Sequence, residues 1–292
     1  GVFGGLYLRH LRDSVWQKIT EAERHLRKDE VLACEQLDLD LDGNEELWIH
    51  SAQFSALVSP ARGGSLEELS LFGDGVNLAN TLTRRREAYH HLSGGGEGPD
   101  RVDDSETNGD DGETAPSIHD LEDEIRFTEL PPEDREDRAL FQERILPGDL
   151  ELGAYQVGDF EPIHSWATTD LRLVAVEEGS ATPSSPRWLE VSLGQEQEGS
   201  FEKSLRFTED GTVEVLFHWD SSGFPEDSFF STELSLGADA QVQTVPETSP
   251  WRFPISTFSK SERGFDETVQ GDSITVRWPV QTGWGRVRLT RS

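Results

Sequence analysis

The chain of 292 residues has little sulfur, with one cysteine, Cys34, and no methionine. A single cysteine excludes an internal disulfide and a zinc site built from several thiolates. Because methionine is absent, we expect a piece of a longer protein or a processed product. The beginning of the chain has no signal-peptide pattern. Nothing therefore favours secretion, and we expect a cytoplasmic location.

Positive charge is also scarce. The chain has 26 Lys and Arg against 57 Asp and Glu, a formal net charge of -31, and only four of the basic residues are Lys. Phosphate and anionic lipid are recognised by clustered basic residues, so this balance excludes nucleic acid and charge-driven membrane binding. No run approaches the roughly 18 apolar residues of a membrane span. Such an acidic surface favours a salt-adapted organism, the alternative being a solvated surface that implies no partner.

Common catalytic signatures are missing as well. The sequence has no nucleophile elbow, no HExxH zinc motif, no P-loop and no dinucleotide-binding fingerprint. Two carboxylates could hydrolyse a glycosidic bond, but 57 acidic residues offer no basis for choosing a pair. The sequence therefore identifies no catalytic residue.

The strongest pattern that is present lies at the beginning of the chain. Apolar residues recur three and four positions apart over residues 6–28, which predicts a helix with one apolar face. The residues of that face are Leu8, Leu11, Val15, Ile19, Ala22 and Leu26.

Beyond the helix, short segments of period two alternate with Gly and Pro turns, which is typical of strands. A short helix is predicted at 77–89, and an acidic stretch at about 93–117 has the composition of a disordered insertion. We therefore predict a mainly β fold, an antiparallel β-sandwich preceded by one N-terminal helix. The predicted strands are 37–41, 45–51, 53–58, 66–72, 171–176, 188–193, 204–207, 213–219, 229–236, 273–278 and 286–289.

Two local patterns suggest ligands. Asp38, Asp40 and Asp42 precede Gly43 and place alternate carboxylates on one side, which suits Ca²⁺; the alternative is a solvent-facing strand and turn with no cofactor. Trp219 lies between His218 and Asp220, so an exposed indole with polar neighbours could contact a sugar, although tryptophan is also a common core residue.

Several stretches together resemble glycoside hydrolase family 57, the α-amylases and 4-α-glucanotransferases. The first is 1–8 with His10-Leu11-Arg12, and an acidic hairpin follows at 38–46. The others are 77–90, 229–234 and 255–271.

The resemblance implies a galactose-mutarotase-like sandwich that packs against a catalytic barrel. Residues 1–30 would be the tail of the barrel motif and a linking helix, and residues 31–292 the sandwich. The catalytic Glu and Asp of the family would lie upstream of Gly1, so this chain would not itself be catalytic. The resemblance places five residues on the substrate side or the barrel interface, namely Phe3, Gly4, Gly5, Tyr7 and His10.

We therefore expect an accessory domain of an α-glucan-acting enzyme, partnered by an N-terminal barrel and by α-glucan. Hydrolase and transglycosylase parents stay equally open. The alternatives are a stand-alone carbohydrate-binding module and a purely structural domain. Since the barrel is missing, we expect an exposed apolar patch around Phe3, Leu6, Leu8 and Leu11.

Overall fold

The computed structural model describes residues 5–87, 89–90, 130–180, 186–195, 200–261 and 264–291. The predicted insertion at about 93–117 lies outside them. The helices are α1 (Arg9–Leu26) and α2 (Leu152–Val157), with 3-10 turns at Gly5–Tyr7, Pro60–Arg62 and Val280–Thr282. Within these ranges no helix combines the length and hydropathy that a membrane crossing needs.

Strands dominate the rest of the described chain. They are β1 (Ala33–Leu37), β2 (Glu46–His50), β3 (Phe54–Ser59), β4 (Ser65–Leu71), β5 (Val76–Asn77), β6 (Leu140–Leu146), β7 (His164–Ser165), β8 (Arg172–Ser180), β9 (Arg187–Gln195), β10 (Phe201–Thr208), β11 (Val213–Trp219), β12 (Phe229–Leu236), β13 (Ala240–Val245), β14 (Trp251–Ser261), β15 (Gly264–Pro279) and β16 (Trp284–Arg291).

The strands form two sheets. In the ten-stranded sheet the main order is β1-β2-β3-β4-β6-β12-β15-β14, with β5 beside β4 and β7 beside β6. The six-stranded sheet has the order β13-β16-β11-β10-β9-β8. Neighbouring strands pair antiparallel in both. The predicted antiparallel β-sandwich with one N-terminal helix is confirmed.

The core lies between the sheets and follows from alternation along the strands. In β11, Val213, Val215, Phe217 and Trp219 are buried, while the residues between them are partly or fully exposed. From the other sheet Phe230 meets this row, with its ring 5.6 Å from that of Phe217 and 3.9 Å from that of Trp219. The period-two pattern of the sequence thus becomes one apolar layer.

A buried ion pair crosses this layer. Lys203 of β10 is fully buried, and its Nζ donates to Glu143 Oε2 of β6 at 2.8 Å and to the Phe141 carbonyl at 2.7 Å. Thr232 Oγ1 donates to the other Glu143 oxygen at 2.7 Å. Because the polar atoms are paired, the charges are tolerated where an isolated charge would not be.

Two predictions about local structure are wrong. Residues 78–87 form no helix, because their polar groups bond to other segments: Arg84 N donates to Asp134 Oδ2 at 2.7 Å, and Asp134 N donates to the Arg84 carbonyl at 2.8 Å. The alternating Asp residues at 38–42 lie in a loop between β1 and β2, where a turn closed by side-chain oxygens replaces the predicted strand.

Candidate functional site

The apolar face of α1 is exposed. Leu8, Leu11, Val15, Ile19 and Leu26, here called the α1 stripe, are all open to solvent, with Val15 59% exposed. Monomeric proteins rarely leave a continuous apolar row uncovered, so such a row marks an interaction surface. The expected exposure of Leu8 and Leu11 is confirmed, whereas Phe3 and the side chain of Leu6 lie outside the described part of the chain.

A neighbouring, largely polar face holds α1 on the sandwich. Arg12 is buried, and its Nε donates to Asn80 Oδ1 at 3.1 Å, while Asn80 Nδ2 donates to Asp13 Oδ1 at 2.8 Å. Just after the helix, the Arg27 guanidinium lies 4.3 Å from the centre of the Trp48 ring. Burial lowers the pKa of Arg12. These contacts fix the rotation of the helix and leave the α1 stripe facing outward.

The segment before α1 is anchored through Tyr7. Its hydroxyl donates to the Glu87 carboxylate, and its carbonyl accepts from Gln270 Nε2 at 2.9 Å. Burial, and then the bond to Glu87, raise the pKa of the Tyr7 phenol. Gly5 and His10 are exposed beside it, in the 3-10 turn and the first turn of α1. Phe3 and Gly4 are not among the described residues.

Two stretches that carry the family resemblance meet at this segment. His90 Nε2 donates to the Phe258 carbonyl at 3.0 Å, while His90 Nδ1 accepts from Glu87 N at 3.1 Å, which defines a neutral tautomer. Gln270 Nε2 also donates to Thr257 Oγ1 at 2.6 Å. The stretches 77–90 and 255–271 thus hold the segment before α1 in place, through Glu87 and Gln270. The individual roles of Glu87, Gln270 and Arg12 were not predicted from the sequence, although all three lie in motifs that carry the resemblance.

The stretch 229–234, which also carries the family resemblance, lies in β12, inside the ten-stranded sheet. Glu233 of β12 is buried in an ionic cluster, where it pairs with Arg138 and Arg144 at 3.2 Å each and accepts from the Tyr155 hydroxyl at 2.7 Å. Burial opposes ionisation of Glu233, but the two guanidinium groups outweigh it and lower the pKa. A space of about 30 Å³ remains beside the cluster, enough for about one water. This carboxylate is therefore structural.

The loop between β1 and β2 gathers three carboxylates. Asp38, Asp40 and Asp42 each bring one oxygen within 4.8 Å of the others. The loop's own amides bond to them: Asp42 N donates to Asp38 Oδ1 at 3.1 Å, and Asn44 N donates to Asp42 Oδ1 at 2.7 Å. The bonds that the backbone and side-chain amides of Asn44 donate to the Asp42 carboxylate lower the pKa of Asp42. The cluster has the oxygen ligands that a hard cation prefers.

Trp219 is not placed to contact a sugar. It is only 5% exposed, its ring stacks on Phe230, and its Nε1 donates to the Val280 carbonyl at 2.6 Å. It ends β11 on the inward side, because it continues the alternation of buried residues along that strand. The prediction of Trp219 as a glucan contact is wrong.

The chain is similar to known proteins in both sequence and fold. A family model described as "Alpha-amylase/4-alpha-glucanotransferase, C-terminal" matches residues 38–236 and 226–289. A 4-alpha-glucanotransferase of Thermococcus kodakarensis is 31% identical over 325 aligned residues, which cover 99% of this chain and 44% of that protein. An alpha-amylase of Pyrococcus abyssi is 30% identical over 307, covering 96% and 43%.

The fold is shared with a solved structure. The crystal structure of 4-alpha-glucanotransferase from Thermococcus litoralis superposes with a TM-score of 0.68 and 25% identity, covering 100% of this chain and 44% of that chain. The chain thus spans less than half the length of the curated relatives it matches. Because the family model matches most of the chain, the protein belongs to the family of alpha-amylase/4-alpha-glucanotransferase C-terminal domains.

Proposed function

We propose that this chain is the accessory C-terminal sandwich of an α-glucan-acting hydrolase or transglycosylase of the glycoside hydrolase family 57 type. The observation that carries the proposal is the exposed α1 stripe, held outward by the buried polar contacts of Arg12. Its occupant would be the catalytic barrel of the same protein. The matched relatives support this, since their names denote glucan-acting enzymes and they are more than twice as long as the match.

In this proposal the sandwich braces the barrel and supplies no catalytic group. The interior carboxylates Glu143 and Glu233 are engaged in ion pairs and cannot reach a substrate. In the parent, a glutamate nucleophile and an acid/base aspartate would work in the barrel, as in retaining glycosidases. The anchored Tyr7 and the exposed Gly5 and His10 would lie where the barrel meets the sandwich.

Two measurements test the proposal. Sequencing of the coding region upstream of the Gly1 codon should find a barrel-encoding segment in the same reading frame, and a stop codon there would contradict it. The isolated chain should show no turnover of maltooligosaccharides. Robust turnover would contradict the accessory role and would require a carboxylate pair within this chain.

We also propose that the loop between β1 and β2 binds Ca²⁺ through Asp38, Asp40 and Asp42. The support is the convergence of their oxygens within 4.8 Å. Millimolar CaCl₂ should then raise the melting temperature, and Asp40→Asn should abolish the rise. Asp239→Asn, a change at an exposed aspartate elsewhere, is the matched control. An equal rise in both variants, or an equal rise with NaCl at the same ionic strength, would mean that the salt only screens charges. Either result would contradict Ca²⁺ binding by this loop.

A further inference from the structure

The solvent face of the six-stranded sheet carries a groove of about 360 Å³. Ligand pockets begin at about 300 Å³, so the groove has room for a small ligand or for part of a longer one. It lies on the side of the sheet away from the core. Neither the α1 stripe nor the loop between β1 and β2 lines it. The groove residues used below are Glu190, Arg206, Glu214, Leu216, Trp284 and Arg286.

Strand register brings these residues together. Arg286 of β16 pairs with Leu216 of β11, and Glu214 pairs with Arg206, which in turn pairs with Glu190 of β9. Residues that are directly opposite in neighbouring strands share a face of the sheet. The groove therefore runs across these four adjacent strands, and Val245, opposite Arg286, extends its lining to a fifth, β13.

Trp284 is turned outward by the glycines around it. Gly283 has φ +71, which lets the chain leave the 3-10 turn and enter β16. Gly285 faces inward, where a Cβ would lie 2.7 Å from the Trp278 ring. Trp284 is 38% exposed, whereas Trp219 on the neighbouring strand is buried. The groove thus offers an accessible indole face.

The charges of the groove cancel. Arg206 Nε lies 2.7 Å from Glu190 Oε2, and Arg286 Nη1 lies 3.7 Å from Glu214 Oε2. Two guanidinium groups and two carboxylates give no net attraction for an anion or a cation. A guanidinium has five N–H donors and a carboxylate about four acceptor sites, so one ion pair uses only part of this capacity. The remainder suits a neutral ligand with many hydroxyl groups.

The surroundings hold these polar groups in place. The Arg206 guanidinium lies 4.4 Å from the centre of the Trp188 ring, which restricts its plane. Leu216 adds an apolar wall between the charged residues. An apolar surface with a few fixed polar groups is the usual form of a small-molecule site. A sugar ring presents the matching combination, an apolar C–H face and a rim of hydroxyl groups.

We propose that this groove binds α-glucan, with Trp284 stacked on one pyranose ring and the Arg–Glu pairs bonded to its hydroxyl groups. The identity of the sugar rests on the proposed function, while the neutral, hydroxyl-rich class of ligand rests on the groove itself. Binding here would hold a glucan chain on the sandwich, away from the α1 stripe.

Calorimetric titration of the chain with maltoheptaose, and with cellohexaose as its β-linked counterpart, tests the proposal. The chain should bind maltoheptaose and prefer it to cellohexaose. Trp284→Ala should weaken binding about tenfold or more, equivalent to about 1.4 kcal/mol. Phe229→Ala, a change at a half-buried aromatic on the other sheet, should leave the affinity unchanged. A melting curve of each variant verifies folding.

Arg286→Gln is the second variant, because it keeps the indole and removes one charged pair. It should also weaken binding and guards against a folding defect in Trp284→Ala. Absence of maltoheptaose binding, unchanged affinity in both groove variants, or equal binding of cellohexaose would overturn the proposal. These outcomes leave the accessory role intact, since that role is judged by the upstream coding sequence. Groove binding without an upstream barrel would instead indicate a stand-alone carbohydrate-binding module.

Discussion

At the scale of single residues, Glu68 of β4 is an ionisable group that the fold places under α1. Burial raises its pKa from 4.5 to about 7; the Ser70 hydroxyl bond opposes the rise, nearby Glu23 adds to it, and Arg27 opposes it. Between pH 4.5 and about pH 7, Glu68 therefore holds a proton in the folded chain that it has released in the unfolded chain. The free energy of unfolding should therefore fall as pH rises through this window.

Glu68→Gln should remove that dependence, because glutamine keeps the shape and cannot ionise. We expect the variant to gain on the order of 3 kcal/mol at pH 8 and little at pH 4, since the folded and unfolded pKa values differ by about 2.5 and each pKa unit is worth about 1.4 kcal/mol. Urea unfolding at pH 4 to 8 measures this. Glu45→Gln, at an exposed position, is the control and should track the wild type. Parallel pH profiles for Glu68→Gln and wild type would contradict the prediction.

The Lys203–Glu143 pair poses a second test at this scale. Burial raises the pKa of Glu143 and lowers that of Lys203, and each partner opposes the shift of the other. Lys203→Met should leave the carboxylate unpaired and cost about 3–5 kcal/mol. The double variant Lys203→Met/Glu143→Gln should recover a large part of this loss. Chemical denaturation of the wild type, of Lys203→Met, of Glu143→Gln and of the double variant gives the coupling energy. A double variant no more stable than Lys203→Met would show that the unpaired carboxylate is not the cause of the loss.

At the scale of elements, α1 packs on the sandwich mainly through polar side chains, among them Arg12 and Asp13. We predict that Val15→Asp/Ile19→Asp changes the stability of the isolated chain by less than about 0.5 kcal/mol, because both residues are exposed. Arg12→Ala should destabilise the chain by about 1–3 kcal/mol, because it removes the buried bond to Asn80. Denaturant titration of each variant provides both values.

The same double variant tests the stripe as an interface. Co-expressed with the catalytic half that the proposal requires, Val15→Asp/Ile19→Asp should weaken association at least about tenfold, since it places two charges in an apolar contact. Ser14→Asp, on the same helix but outside the stripe, should associate like the wild type. Equal association of all three proteins would exclude the α1 stripe from the interface.

Sequence patterns located some elements well and others poorly. The strands predicted at 213–219 and 229–236 match β11 and β12, because β11 alternates apolar and polar residues and β12 has Phe230, Leu234 and Leu236 on one face. β13 was missed, since its half-exposed residues give no apolar row. The helix predicted at 77–89 failed because long-range bonds of Arg84 and Asn80 override local propensity. The periodicity of α1 identified the helix, but nothing local showed that its polar face would be buried.

The candidate sites, like the strands and helices, were only partly predictable from the sequence. Motif order located the junction around Tyr7 but not its partner Gln270, which is 263 residues away. Trp219 and Trp284 differ in which face of adjacent strands they occupy, and polar neighbours in sequence do not report that. Burial of an aromatic side chain depends on the register of the whole sheet. The composition shows eight tryptophans, but only the fold shows which of them are accessible.

At the scale of the whole molecule, the charge of -31 is unevenly distributed. Several arginines, among them Arg84, Arg138 and Arg144, are buried in ion pairs, while the acidic residues of the α1–β2 region are largely exposed. The surface therefore carries a strong excess of negative charge that repels itself. This repulsion acts over the Debye length, about 10 Å at 0.1 M salt and about 3 Å at 1 M.

Added salt should therefore stabilise the chain. Raising KCl from 0.1 to 1 M should increase stability by on the order of 1–2 kcal/mol, or roughly 5 °C in melting temperature. Scanning calorimetry at neutral pH measures this, with sucrose of equal osmolality as the control for effects other than screening. The buried pairs respond little to salt, so the gain reports on the surface. A melting temperature unchanged or lowered by KCl would mean that the acidic surface is a solvated coat and that self-repulsion does not limit the fold.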